Sequence, residues 1–217
     1  MLGVRSVSLF LLAFASACHT HTHEEELDIE EPVVSLEVDV GSGDLEIVGA
    51  DVDAVSVSAK IEGASNHLGH ALEDGRLVLF DDCNELLCGV NITAFVPAFV
   101  PIVLRTGSGD VQARGTHAEI SIRTGSGDIA ASDVLGVALR AETGSGDVAL
   151  GVRAPAEHVV IRTGAGDVEL VVPRGGYRLD VSTGSGDERV DGVHDDASAS
   201  GFIEVDTGSG DVQVRGR

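Results

Sequence analysis

Short runs of alternating apolar and polar residues, separated by one recurring glycine turn, make up most of this chain. Before the turns stand Ile120-Ser121-Ile122-Arg123, Val159-Val160-Ile161-Arg162 and Ile203-Glu204-Val205-Asp206. After them stand Val111-Gln112-Ala113-Arg114, Val148-Ala149-Leu150 and Val168-Glu169-Leu170. Alternation over four to six residues bounded by Gly-rich turns describes a half-buried strand, with every second side chain inward. Ile120, Ile122 and Thr124 then share one face, which Ile129 continues beyond the turn. No segment after the first residues carries a convincing helical period.

The turn itself is TGSGD. It begins at Thr106, Thr124, Thr143, Thr163 (as TGAGD), Thr183 and Thr207, at intervals of 18–24 residues, and a partial copy stands at Gly41-Ser42-Gly43-Asp44. Two glycines let the chain reverse through positive φ at little steric cost, and the Asp can accept backbone N–H groups and fasten the turn. Asp44, Asp110, Asp128, Asp147, Asp167, Asp187 and Asp211 are therefore expected to be structural turn residues. A unit this short cannot bury its own apolar face and must stack on copies of itself. The expected fold is all-β: a β-solenoid (β-helix or β-roll) of 18–24-residue coils, with an antiparallel β-sandwich as the alternative. The long interval between Asp44 and Asp110 holds either about three units, or fewer units and an irregular insert at about 62–101. Within it Arg76–Phe80 reads as a strand, and Pro97, like Pro155 and Pro173, marks the looser turn of a coil.

The first residues change the picture from fold to compartment. A basic start, an apolar run from Val7 to Ala15 and the small residues Ala15-Ser16-Ala17 form a secretory signal peptide over residues 1–17, too short to remain as a membrane span. Ala15-Ser16-Ala17-Cys18 resembles a bacterial lipobox, with Ala15 where Leu is preferred. Cys18 is the expected lipidated N-terminus, residues 18–32 a polar tether, and residues 33–217 one β-repeat domain. Cleavage after Ala17 without lipidation is the competing reading. The other cysteines, Cys83 and Cys88 in DDCNELLCG, are expected to form a disulfide in an oxidising compartment; a zinc pair lacks further ligands nearby.

The formal net charge is −22, and loss of Arg5 with the signal peptide makes it more negative. That balance argues against nucleic acid and anionic lipid surfaces as partners, leaving the lipid anchor as the expected membrane contact. Abundant glycine and the absence of Trp favour thin stacked layers over an aromatic core.

On these turns the chain resembles the putative adhesin family of bacterial envelope proteins, whose β-solenoid repeats carry a T-x-S-G-D turn. The resemblance covers roughly Val33 to Arg217 and implies an envelope location and a β-helical repeat fold. The expected role is that of an adhesin-like or scaffold protein without catalysis, binding an envelope or extracellular ligand through exposed faces, and His19 directly after Cys18 resembles the outer-membrane sorting pattern. It departs in the long interval and at Glu188-Arg189, where an apolar residue is usual.

Other motifs weigh less. Asp206-Thr207-Gly208-Ser209 spells an aspartic-protease motif, but the equivalent positions hold Arg105, Arg123, Glu142, Arg162 and Ser182, and such an enzyme needs two carboxylates sharing a site. Calcium rolls pair glycine with Asp at a nine-residue period, which this chain lacks. The HTHTH run, with His19, His21 and His23, offers imidazoles to a transition metal, but reads as polar spacer. Asn91-Ile92-Thr93 spells a sequon. No phosphate-binding glycine loop occurs. No catalytic residue, metal or cofactor is expected; a polysaccharide-acting β-helix enzyme and a calcium-binding β-roll are the alternatives.

Overall fold

The computed structural model describes residues 22–63, 67–81 and 88–217. Among them there are strands and no helix. The first are β1 (Thr22–Ile29), β2 (Ser35–Val40), β3 (Leu45–Ala50), β4 (Val55–Glu62), β5 (Leu68–Glu73), β6 (Arg76–Asp81) and β7 (Gly89–Pro97). Next come β8 (Ile102–Ser108), β9 (Val111–Arg114), β10 (Ile120–Ser126), β11 (Ile129–Val134), β12 (Ala138–Thr143), β13 (Val148–Val152), β14 (His158–Thr163) and β15 (Val168–Val172). The last are β16 (Gly175–Thr183), β17 (Glu188–Asp191), β18 (Val193–Asp195), β19 (Phe202–Thr207) and β20 (Val212–Gly216).

These strands form two 10-stranded sheets. One runs β1-β4-β7-β3-β9-β11-β13-β15-β20-β17, the other β5-β6-β2-β8-β10-β12-β14-β19-β16-β18. Each GSGD turn leads from a strand of the second sheet to a strand of the first, and such a pair is called a rung below. Neighbouring rungs pair in parallel with like positions aligned: Thr124 lies beside Thr106 and Thr143, and Ile129 beside Val111 and Val148. Antiparallel pairing is confined to β1–β4, β4–β7 and β5–β6.

The alternation sets which rows are buried. Ile120, Ile122, Thr124 and Ile129 are all at most 2 % exposed. Equivalent rows of Val, Ile, Leu and Ala from both sheets merge into one apolar core. Tyr177 is the one aromatic side chain among the buried residues described, and its hydroxyl donates to the carbonyl of Pro173 at 2.9 Å. Small branched side chains suit this arrangement because β-branched residues pack well on a pleated surface.

Three features depart from the sequence expectations. The span read as a tether, 18–32, contains β1, an edge strand paired along its length with β4. Its acids alternate with Leu27 and Ile29, so one row packs inward while the other stays in solvent. The interval from Asp44 to Asp110 holds one further rung, β6 and β7, with the antiparallel strands β4 and β5 laid outside it. Where other rungs turn through G-x-G-D, the residues between β6 and β7 spell no such motif, and all of them but Cys88 lie outside the described residues.

The third is the order of stacking. From β8 to β15 rungs follow one another as they do along the chain. At one end β2 and β3 sit between the rung of β6 and β7 and the rung of β8 and β9. At the other, β19 and β20 sit between the rung of β14 and β15 and the rung of β16 and β17. Each terminal repeat therefore occupies the last slot but one. Glu188-Arg189 belong to β17, an outermost strand exposed throughout, which is why polar residues are tolerated there.

Candidate functional site

The recurring turn builds a ladder along one edge of the molecule. Every motif Asp except Asp187, on the outermost rung, accepts through Oδ1 the backbone N–H of the motif Asp on the next rung. Asp44 takes Asp110 at 2.9 Å, Asp110 takes Asp128 at 2.9 Å, and Asp128 takes Asp147 at 2.8 Å. Asp147 takes Asp167, Asp167 takes Asp211, and Asp211 takes Asp187, each at 2.8 Å. The expectation that each Asp fastens its own turn is thereby corrected: the bond joins rungs. Asn91, read first as part of a sequon, heads the ladder, since its Oδ1 accepts the N–H of Asp44 at 2.8 Å.

The threonines form a second row. Thr124 Oγ1 donates to the Gly109 carbonyl at 3.0 Å, and Thr143, Thr163 and Thr207 repeat this toward Gly127, Gly146 and Gly166. The second glycine is required twice over. At Gly127 φ is +149°, and a Cβ there would stand 2.1 Å from the Gly109 carbonyl oxygen. The recurring Thr, glycines and Asp of the turn thus all serve stacking.

Of the remaining expected residues, Cys18 and Cys83 lie outside the described residues, as do His19 and His21. Cys88 directly precedes β7. Asp206 is exposed on β19 and accepts a hydrogen bond from Ser182 Oγ at 3.2 Å, in a row with Arg162. The structure places Ser182, not a second carboxylate, against it.

The broad outer faces carry the variable side chains. On the second sheet, parallel register sets arginines beside acids. Glu37 receives Arg76 and Arg105; Glu142 receives Arg123, at 2.9 Å through Nε, and Arg140; Glu204 receives Arg162 at 3.1 Å. Hydrogen bonds from Arg76 and Arg105 hold the Glu37 carboxyl below its ordinary value. Burial works against the charge of Glu142, but the hydrogen bonds and charge of Arg123 and Arg140 outweigh it and lower its pKa too. Beside this row runs a shallow groove of about 780 Å³ between the arginines and the Thr-Gly edge. The outer face of the first sheet has a hollow of about 420 Å³ bordered by Ala130, Ala149 and Gly151, with Glu46, Arg114 and Glu169 also at its margin. The sequence signal of this row is the residue preceding each motif Thr, Arg105, Arg123, Glu142 and Arg162, which parallel in-register stacking makes neighbours.

His23, Glu25 and His67 form a cluster that sequence separation hides, since His67 lies some forty residues from the other two. Glu25 Oε1 lies 2.9 Å from His67 Nδ1 and 3.3 Å from His23 Nε2. Burial opposes the Glu25 charge, and hydrogen bonds from His67, the Leu68 N–H and His23 outweigh it, lowering its pKa.

No curated protein matches the chain. Among solved structures it is similar to a putative cell adhesion protein from Clostridium sporogenes, at 10% identity and a TM-score of 0.46 over 91% of this chain and 100% of that one. It is similar also to a putative adhesin from Parabacteroides distasonis, at 11% identity and 0.44 over 89% and 97%. A putative lipid binding protein from the same species is similar at 13% identity and 0.33 over 89% and 96%. The Toastrack DUF4097 family matches residues 22–215, almost the whole of the repeat region. The chain belongs to the Toastrack DUF4097 family.

Proposed function

We propose that this is a non-catalytic, adhesin-like scaffold of the bacterial envelope, exported by residues 1–17 and held to the outer membrane by lipid on Cys18. Its rungs act as a β-solenoid that presents two flat faces to an envelope or extracellular ligand. The observation that carries this reading is the ladder: the motif Thr, both glycines and Asp are spent on holding rungs together. The recurring residues thus serve architecture, and recognition falls to the outer faces, where side chains differ from rung to rung. The groove beside Arg105, Arg123 and Arg162 is the favoured face: their guanidiniums, paired within the row to Glu37, Glu142 and Glu204, can exchange those partners for the carboxylate or sulfate groups of a ligand and meet them bidentately.

Charge reversal tests the face. In an array of acidic polysaccharides and matrix proteins, Arg105→Glu/Arg123→Glu/Arg162→Glu should lose the binding that the wild-type chain shows, with its circular dichroism unchanged. Cleavage of a polysaccharide by the wild type would replace this reading with the enzymatic one. Membrane fractionation tests the anchor, because Cys18→Ser should move the protein to the soluble fraction.

A disulfide between Cys83 and Cys88 fits the same compartment. Its support is the position of Cys88 at the mouth of the rung whose connecting segment lacks the G-x-G-D motif, where a covalent loop would take over the role of the motif; closing so short a loop stabilises by about 2 kcal/mol. Alkylation without reductant should label neither cysteine, and full labelling of both would reject the bond.

A further inference from the structure

The inward-facing row of β1 reads His23, Glu25, Leu27, Ile29. Leu27 and Ile29 extend the apolar core, whereas two ionisable side chains occupy the same row at its open end. His67, immediately before β5, completes a group whose ligand atoms all lie within 4.8 Å of one another. The carboxylate is already aimed. Its Oε2 accepts the Leu68 N–H at 3.1 Å, which turns Oε1 toward both imidazoles. Outer hydrogen bonds of this kind orient the ligands of metal sites.

We propose that His23 Nε2, Glu25 Oε1 and His67 Nδ1 bind a divalent transition-metal ion of the zinc class. Two imidazoles and one carboxylate select borderline ions such as Zn²⁺ over calcium, which takes oxygen alone. Ligand atoms about 2.1 Å from a tetrahedral ion stand about 3.4 Å apart. The present separations close to that by side-chain rotation, for which the exposure of the two imidazoles, 37% and 72%, leaves freedom. The chain's net charge of −22 raises the local concentration of cations.

The location gives the ion a task. β1 is the edge of one sheet and β5 the edge of the other, at the same end of the stack. An ion shared by His23 and His67 ties these two edges together and blunts two exposed strands at once. The site stands apart from the arginine face, so it holds or fails independently of the adhesin-like reading.

Zn²⁺ titration of the full chain against a chromophoric chelator tests it, with Co²⁺ absorption reporting the ligand set. One tight equivalent is expected, with a melting temperature that rises on addition of Zn²⁺. Because His67 is largely exposed, His67→Asn should fold and melt like the metal-free wild type. It should weaken Zn²⁺ binding roughly tenfold or more and abolish the rise in melting temperature. Substituting His19 and His21 together by Asn should leave both readouts unchanged. Zn²⁺ affinity that survives His67→Asn but is lost with His19 and His21 would overturn the site, as would the absence of wild-type binding below millimolar Zn²⁺.

Discussion

The carboxylate of Asp128 accepts the N–H of Asp147, while the carboxylate of Asp187, on the outermost rung, accepts no hydrogen bond among the described residues. The same motif residue therefore has two different energetic weights. Asp128→Ala orphans a backbone donor between rungs and should cost about 1–3 kcal/mol. Asp187→Ala should stay within about 0.5 kcal/mol, as surface changes do. Asp128→Asn keeps the acceptor, as Asn91 does naturally, and removes one of a column of like charges, so it should be at least as stable as wild type. Urea denaturation of the three variants decides this; equal losses at 128 and 187 would mean the ladder bonds contribute nothing distinctive. At this scale much was legible. Alternation alone identified Ile120, Ile122 and Thr124 as inward, and the glycine turn identified the Asp column. What the chain could not disclose is that the Asp bond crosses to the next rung. That depends on a neighbour whose identity is set by stacking and not by local sequence.

Between strands, the strongest polar coupling is the arginine–glutamate row. Glu142, with a side chain only 13% exposed, lies among Arg123, Arg140 and Arg162 on β10, β12 and β14. Its pKa is lowered in the folded state, as is that of Glu37. Folding then favours the ionised form, so the stabilisation is complete above the unfolded carboxyl's pKa and is lost as pH falls through the lower, folded value. Melting temperature should drop between neutral pH and the acid side of the carboxylate range. Glu142→Gln should flatten that drop and cost a few tenths to about 1 kcal/mol at neutral pH. A pH profile identical to wild type would remove this pair from the account of stability. The contrast between tether and strand also belongs to this scale. Glu24, Glu25, Glu26 and Glu30 looked like spacer composition, but a strand at a sheet edge can be acidic on its outward row and still bury Leu27 and Ile29 on the other.

For the whole molecule, the stacking order was the least legible property. Repeats with near-identical turns are interchangeable stacking partners, so the chain's sequence order is no guide to which rung sits on which. The rung of β19 and β20 buries Ile203, Val205, Val212 and Val214, each at most 1 % exposed, and lies between the rung of β14 and β15 and the rung of β16 and β17. A chain ending at Gly201 should expose the strands on either side. Amide exchange in Val168–Val172 and Leu179–Thr183 should quicken by orders of magnitude, while Ile120–Ser126 stays slow. Retained protection at Leu179–Thr183 would mean that β16 and β17 can drop one slot and dock on β14 and β15.

The placement of β2–β3 and β19–β20 one slot in from each end also constrains how such a protein lengthens. Tandem duplication of a terminal repeat would append a copy where no free slot adjoins it, because the outer slot is already taken by a unit from elsewhere in the chain. Only from β8 to β15 do chain order and stacking order coincide. A unit duplicated there finds its predecessor on one side and its successor on the other, and the long axis grows by one strand spacing without rewiring. Variation in length among related chains should therefore be concentrated in this middle stretch, with both ends kept as fixed closures.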